Sequence, residues 1–225
     1  MTVRPRRSVL YMPGSNARAL DKAKTLPADG LILDLEDAVS PDSKAEARRL
    51  IAAALTDRAA YGSRELIVRV NGLDTPWGYA DLEAAATMGA DAVLLPKVDT
   101  AADVRRAVRI LDAAGGPGDL PIWCMMETAR AMLAAEAIAD ASPRLAGFVM
   151  GTSDLAKELM CAHTALRLPM ITSLGLCILA ARAAGLAILD GVYLDLGDDA
   201  GFRESCSQGA ELGFDGKTLI HPKQL

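Results

Sequence analysis

Short apolar runs alternate along this chain with longer stretches of helical spacing. The runs are Ser8 to Met12, Leu31 to Leu35, Leu66 to Val70, Ala92 to Pro96, Ile122 to Met126, Gly147 to Met150, Ala187 to Tyr193 and Lys217 to Ile220. Between them lie Ala-rich helical patterns at Ala17 to Lys24, Ser43 to Leu55, Tyr79 to Met88, Ala101 to Ala114, Ala129 to Ala139, Pro169 to Ala184 and Gly201 to Leu212. The run Ile122-Trp123-Cys124-Met125-Met126 has no polar alternate, which is the pattern of a strand covered on both faces. Eight such strands alternating with helices predict α/β architecture, a single (β/α)8 TIM barrel spanning 1–225.

Local punctuation agrees. Ser40-Pro41-Asp42-Ser43 offers a turn and an N-cap before Lys44, and Thr100 offers a cap before Ala101. Gly89, Gly185 and Gly213 each stand at a helix end just before a strand. The repeat is of a βα unit, not of sequence. The longest gap between strands, about Leu155 to Leu168, predicts an enlarged active-site loop.

Composition narrows the chemistry. Aromatic residues make up 4% against 51% hydrophobic, so the core is built from Ala, Val, Ile, Leu and Met. A formal net charge of -5 supplies no basic field for nucleic acid. Cys124, Cys161, Cys177 and Cys206 form no CxxC pair and read as reduced thiols of a cytoplasmic protein. With His163 and His221 the only histidines, a metal must be held mainly by oxygen. No stretch approaches a membrane span, and the basic N-terminus has no long apolar core behind it.

A barrel places its chemistry just after the strands, and those positions here are polar. Strand one ends in Met12-Pro13-Gly14-Ser15-Asn16, whose amides could meet an anion; strand two ends in Asp34 and Glu36 on one face with Asp37 on the other. Arg69 closes strand three, Pro96-Lys97 strand four, Glu127 strand five, Gly151-Thr152-Ser153-Asp154 strand six, and Asp195 strand seven. Each has a plainer reading. Glu127 could open the next helix, Asp154 could cap Leu155 to Leu159, and Arg69 could be an ion-pair partner of Glu36. Together, two carboxylates on adjacent strands suit Mg2+, and a nearby guanidinium suits a carboxylate or enolate oxygen.

The stretches RSVLYMPGSN, LILDLEDAV, VRVNG, LLPKV, METARA, GTSDLAKEL and GFDGKTLIHPKQ occur in this order. They resemble the HpcH/HpaI aldolase and citrate lyase family, and within it the citrate lyase β-subunit-like CoA-ester lyases that act on malyl-CoA, methylmalyl-CoA or citramalyl-CoA. The resemblance implies a Mg2+-dependent carbon–carbon lyase, with Mn2+ as an alternative ion, that splits a 3-hydroxyacyl-CoA thioester into an acyl-CoA and glyoxylate or pyruvate. It places the metal on Glu127 and Asp154, and substrate on Arg69 and Glu127, with Tyr11 and Lys22 near the CoA ester. Arg69, Glu36 and Asp37 fall in catalytic roles, the acidic pair orienting Arg69 and metal-bound water. A thioesterase on malyl-CoA, a citrate lyase β subunit using an acyl-carrier-protein thioester, and a non-catalytic CoA-binding protein are the alternatives. Relatives continue past the HPKQ motif into a helical cap that supplies a catalytic acid and crosses subunits, so the resemblance also implies a homotrimer or its multiple. The loop Leu155 to Met170 matches the family only loosely.

Overall fold

The computed structural model describes residues 4–225, and the first three residues of the expected domain lie outside it. Strands β1 (Ser8–Pro13), β2 (Gly30–Asp34), β3 (Glu65–Arg69), β4 (Ala92–Leu95), β5 (Ile122–Met126), β6 (Leu145–Met150), β7 (Ala187–Asp190) and β8 (Gly216–Leu219) close in sequence order into one parallel barrel. β8 completes the ring by pairing with β1, Thr218 opposite Val9. Around it lie α1 (Ala17–Ala23), α2 (Lys44–Leu55), α3 (Gly78–Thr87), α4 (Ala101–Ala113), α5 (Ala129–Leu133), α6 (Ala135–Ala139), α7 (Thr152–Glu158), α8 (Ile171–Ala183) and α9 (Asp199–Leu212). Among the described residues no helix is long and apolar enough to cross a membrane.

Successive residues of a strand face opposite sides, so each strand feeds two cores. Val9, Ile32, Ile67, Leu94, Trp123, Met125, Val149 and Leu189 fill the barrel interior. Leu10, Leu31, Leu33, Leu66, Val68, Val93, Cys124, Phe148 and Ile188 point outward under the helices. Covering on both faces is why β4, β5 and β6 carry no polar side chain.

The lower end of the barrel is closed by Trp123. A Cβ at Gly147 would lie 2.5 Å from its Cζ3, so the neighbouring strand can pass only as glycine. The Arg6 guanidinium covers the indole, 5.1 Å from its centroid, and is held by Glu65 at 2.5 and 3.0 Å. The C-terminal mouth is open to a ligand.

Several boundaries depart from expectation, each for a local reason. β7 stops at Asp190, not Tyr193, because the Gly191 amide turns to the Asp190 carboxylate, 2.8 Å, and leaves the ladder. The expected helix from Ala129 to Ala139 is two helices, broken at Ala134. α7 lies outside the helical patterns marked in the sequence and begins at Thr152, before the Leu155 to Leu159 stretch that Asp154 could have capped. Ser43 makes no side-chain cap; a 3-10 turn, Pro41–Ser43, leads into α2 instead. Thr100 does start α4, with Asp103 accepting from its amide at 2.8 Å. Gly89, Gly185 and Gly213 hold φ of +80, +70 and +99, the left-handed ends their positions required. All four cysteines are unpaired.

Candidate active site

Strand alternation delivers three charged side chains to the mouth. Asp34 follows Ile32 by two residues, Arg69 follows Ile67, and Glu127 follows Met125, so each continues an inward-facing row. They border a cavity of about 360 Å³. Tyr11, Asp34, Asp37 and Arg69 form one wall, Glu127, Gly151 and Asp154 a second, and Val192, Leu194 and Ile220 an apolar third.

Arg69 is anchored along one edge of its fork. Asp34 accepts from Nε at 2.7 Å and from Nη2 at 2.6 Å. Nη1 meets Glu36 at 2.7 Å and Asp37 at 3.4 Å, and the guanidinium stacks over Tyr11 at 4.7 Å. Burial works against the Arg69 charge, but Asp34, Tyr11 and Glu36 outweigh it and hold the pKa well above its ordinary value. The Asp37 side chain was expected on the opposite face from Asp34 and Glu36. It instead reaches the same arginine, because the chain has already left the strand at Asp34 and alternation no longer applies. Burial pushes Glu36 up to about 8; Arg69 opposes this, while Asp37, Glu127 and Asp34 add to it.

Glu127 and Asp154 converge on one cation. Glu127 is 4% exposed, and its Oε1 accepts from the Lys97 amide at 2.8 Å. The Lys97 ammonium lies 3.7 Å from Glu127 Oε2 and bonds Asp154 Oδ2, while Lys157 meets Asp154 Oδ1 at 3.0 Å. Burial raises the Glu127 pKa, with Lys97 opposing it. At Asp154 burial is outweighed by the hydrogen bonds from Lys97 and Lys157, and the pKa is lowered. A Cβ at Gly151 would stand 2.5 Å from Glu127 Oε2, so glycine there is what lets α7 begin against this carboxylate. The N-cap of α7 is Gly151, and Asp154 sits in the first turn without capping it.

Among the described residues no three His, Cys, Asp or Glu side chains converge as a metal cluster. A pair of carboxylates already arranged around a cation, with open cavity beside them, fits an ion that takes few protein oxygens and keeps its remaining positions for water and substrate. Mg2+ has that requirement.

Other expected residues lie elsewhere. Lys22 is exposed in the last turn of α1 and does not border the cavity. Asp195, taken for the end of strand seven, is in the following loop, accepting from the Gly197 amide at 2.8 Å. The turn after β1 has little to offer an anion: the Gly14 amide donates to Asp34 O at 2.9 Å, the Asn16 amide to Pro13 O at 3.1 Å, and the Asn16 side chain caps Ala19. Sequence reading assigned no part to Lys44 and only noted Lys97. Lys44 is 5% exposed and donates to Leu35 O and Glu36 O at 2.7 Å each and to Asn71 Oδ1 at 2.8 Å, pinning the segment that carries Glu36 and Asp37. A lysine opening an amphipathic helix gives no hint of this.

The fold and site together define a parallel-barrel enzyme whose mouth gathers an arginine and a cation-binding carboxylate pair. The HpcH/HpaI aldolase/citrate lyase family matches residues 7–222, and the chain belongs to that family. It is an enzyme of the citrate lyase kind. It is 58% identical over 221 residues to a (3S)-malyl-CoA thioesterase of Cereibacter sphaeroides, covering 98% of this chain and 75% of that protein. It is 40% identical over 227 residues to the citrate lyase subunit beta of Escherichia coli, covering 99% and 75%. Among solved structures, the protein CitE of Mycobacterium tuberculosis in complex with magnesium, acetoacetate and coenzyme A has a TM-score of 0.81 at 30% identity, covering 99% of this chain and 79% of that one.

Proposed function

We propose that this chain acts on a malyl-CoA-like 3-hydroxyacyl-CoA thioester with Mg2+ held by Glu127 and Asp154, and that the outcome is hydrolysis to the free 3-hydroxy acid and CoA. The observation that carries the site is the convergence of Glu127 and Asp154 on one cation across the cavity from an anchored Arg69. Support for hydrolysis comes from identity: 58% to a (3S)-malyl-CoA thioesterase against 40% to a citrate lyase β subunit. The sequence motifs alone put carbon–carbon cleavage first, and the identity shifts the order. Cleavage into an acyl-CoA and glyoxylate or pyruvate is the second reading, favoured by family membership.

The bound ion supplies Lewis-acid polarisation of the substrate oxygens and neutralises charge that develops on them. Arg69 holds the substrate carboxylate or thioester oxygen on its Nη1 edge. There Asp37 is the contact most readily exchanged, at 3.4 Å with its side chain 75% exposed. Asp34 keeps the fork in plane and Tyr11 keeps water from its face. Glu36, its pKa raised to about 8 and its carboxyl 2.7 Å from that edge, can give its proton to the departing CoA sulfur and be reprotonated from solvent, to which the attacking water loses its own proton. Val192, Leu194 and Ile220 offer an apolar lining to the acyl and pantetheine stem.

Product analysis on (3S)-malyl-CoA separates the outcomes. Free CoA with intact malate is expected; glyoxylate with acetyl-CoA would move the assignment to the lyase reading. Activity surviving EDTA treatment would remove the metal. A homo-oligomer, a trimer or its multiple, in the cytoplasm is part of the same proposal, and sedimentation velocity tests the assembly.

A further inference from the structure

Lys97 occupies the cation position between the two carboxylates, and the backbone is bent to put it there. It follows β4 with φ of +50, a left-handed conformation that a residue bearing a Cβ adopts only when its surroundings impose it. What the conformation achieves is a double grip on the pair. Its amide holds Glu127 Oε1 at 2.8 Å, and its ammonium reaches round to Glu127 Oε2 at 3.7 Å and to Asp154 Oδ2. One residue thus fixes one oxygen of Glu127 through the main chain and neutralises the other through the side chain.

We propose that Lys97 is a built-in competitor of the divalent ion: its ammonium holds Glu127 and Asp154 together in the metal-free protein, and metal must displace it to bind. This rests on the metal reading of those two residues given above. The ammonium and a divalent ion cannot both lie between the same oxygens, because their like charges would meet at contact distance in a partly buried site. The side chain has a route out. Lys97 is 40% exposed along its side chain and also lines a second cleft of about 230 Å³, where the carboxylates of Asp74, Asp99 and Asp103 outnumber the single guanidinium of Arg106. That acidic cleft receives the displaced ammonium, while the amide stays on Glu127 Oε1 and keeps the carboxylate aimed at the ion.

The arrangement has two consequences. A carboxylate that is 4% exposed is never left beside Asp154 without a counter-charge, so the metal-free fold is not penalised for an empty site. The apparent metal affinity is then lower than the carboxylates alone would give, by the fraction of time the ammonium is in place.

Calorimetric titration of MgCl2 into the chelator-treated full chain tests this. Lys97→Met removes the ammonium, and Lys97→Gly removes it while relieving the left-handed backbone, so a folding defect in the first is exposed by the second. Both are expected to bind Mg2+ about tenfold more tightly than the parent. Both should also melt earlier without metal and gain more in melting temperature when it is added. Lys157→Met removes the same formal charge from Asp154 on an exposed turn, and its affinity should change less than about threefold. Affinity unchanged or weakened in both Lys97 variants, with the parent binding Mg2+ normally, overturns the competitor role alone. Absence of Mg2+ binding in the parent and all variants overturns the metal reading beneath it as well.

Discussion

Two arginines of this barrel are buried against carboxylates, one inside the mouth and one behind the wall, and their surroundings are opposite in charge. Arg69 faces inward as a single cation beside the carboxylates of Asp34 and Asp37 and the protonated Glu36, next to an open cavity. Arg167, held at φ +52 in the loop between α7 and α8, meets the outward-facing Asp190 at 2.5 Å. Lys217 takes the other Asp190 oxygen at 2.8 Å, so here one carboxylate serves two cations. Gln208 accepts from Arg167 Nε at 2.8 Å, and the cluster is sealed, with Asp190 1% exposed. Surplus negative charge next to a cavity leaves work for a ligand cation and for substrate. Surplus positive charge with no room beside it ties a loop to the barrel wall. Burial of an ion pair alone therefore did not mark the site; the cavity and the sign of the excess did.

The largest effect should come from the sealed cluster. Asp190→Asn leaves Arg167 and Lys217 without their shared counter-charge and is expected to cost about 3–5 kcal/mol in urea unfolding while leaving Mg2+ affinity unchanged. A loss below about 1 kcal/mol would erase the structural role assigned to that cluster. Arg69→Lys keeps the charge but not the planar fork, so turnover should fall about a hundredfold, or about 3 kcal/mol, with Mg2+ affinity retained. Unchanged turnover would take Arg69 out of the mechanism.

Glu36 gives a subtler contrast through pH. Its folded pKa, near 8, lies above the ordinary carboxylate value, so the folded state binds its proton more tightly than the unfolded chain does. That contribution is fully present below about pH 4.3, where both states are protonated, and is lost as pH rises through 8. Glu36→Gln removes the loss, so its stability relative to the parent should climb between pH 5 and about 8 and then level off. Parallel stability curves for the two proteins would refute the raised pKa. The smallest effect is expected at Asp37, exposed and only 3.4 Å from Arg69. Asp37→Asn should change stability by less than about 1 kcal/mol and lower KM, because the group that competes with substrate for Nη1 has been weakened.

The strand rhythm was legible in the chain because alternation is a local property. Once Ile32, Ile67 and Met125 are taken as interior, Asp34, Arg69 and Glu127 must follow them to the mouth. The same rule, applied to Ile188, sends Asp190 outward, but the expected strand runs on to Tyr193 and looks to Asp195 for its polar end, which hides Asp190. Where regular structure stopped, so did the rule, and Asp37 was put on the wrong side.

What the sequence determined by itself is the barrel, the order of its strands and the inward row of charged residues, since all three rest on spacing within single segments. Only the tertiary structure decided which groups meet across segments: Lys97 with Asp154, Lys44 with Asn71, Arg167 with Asp190. These partners are 57, 27 and 23 residues apart. Their pairing depends on how loops and helix ends are carried into contact by the closed barrel, a geometry that no periodicity in one segment encodes.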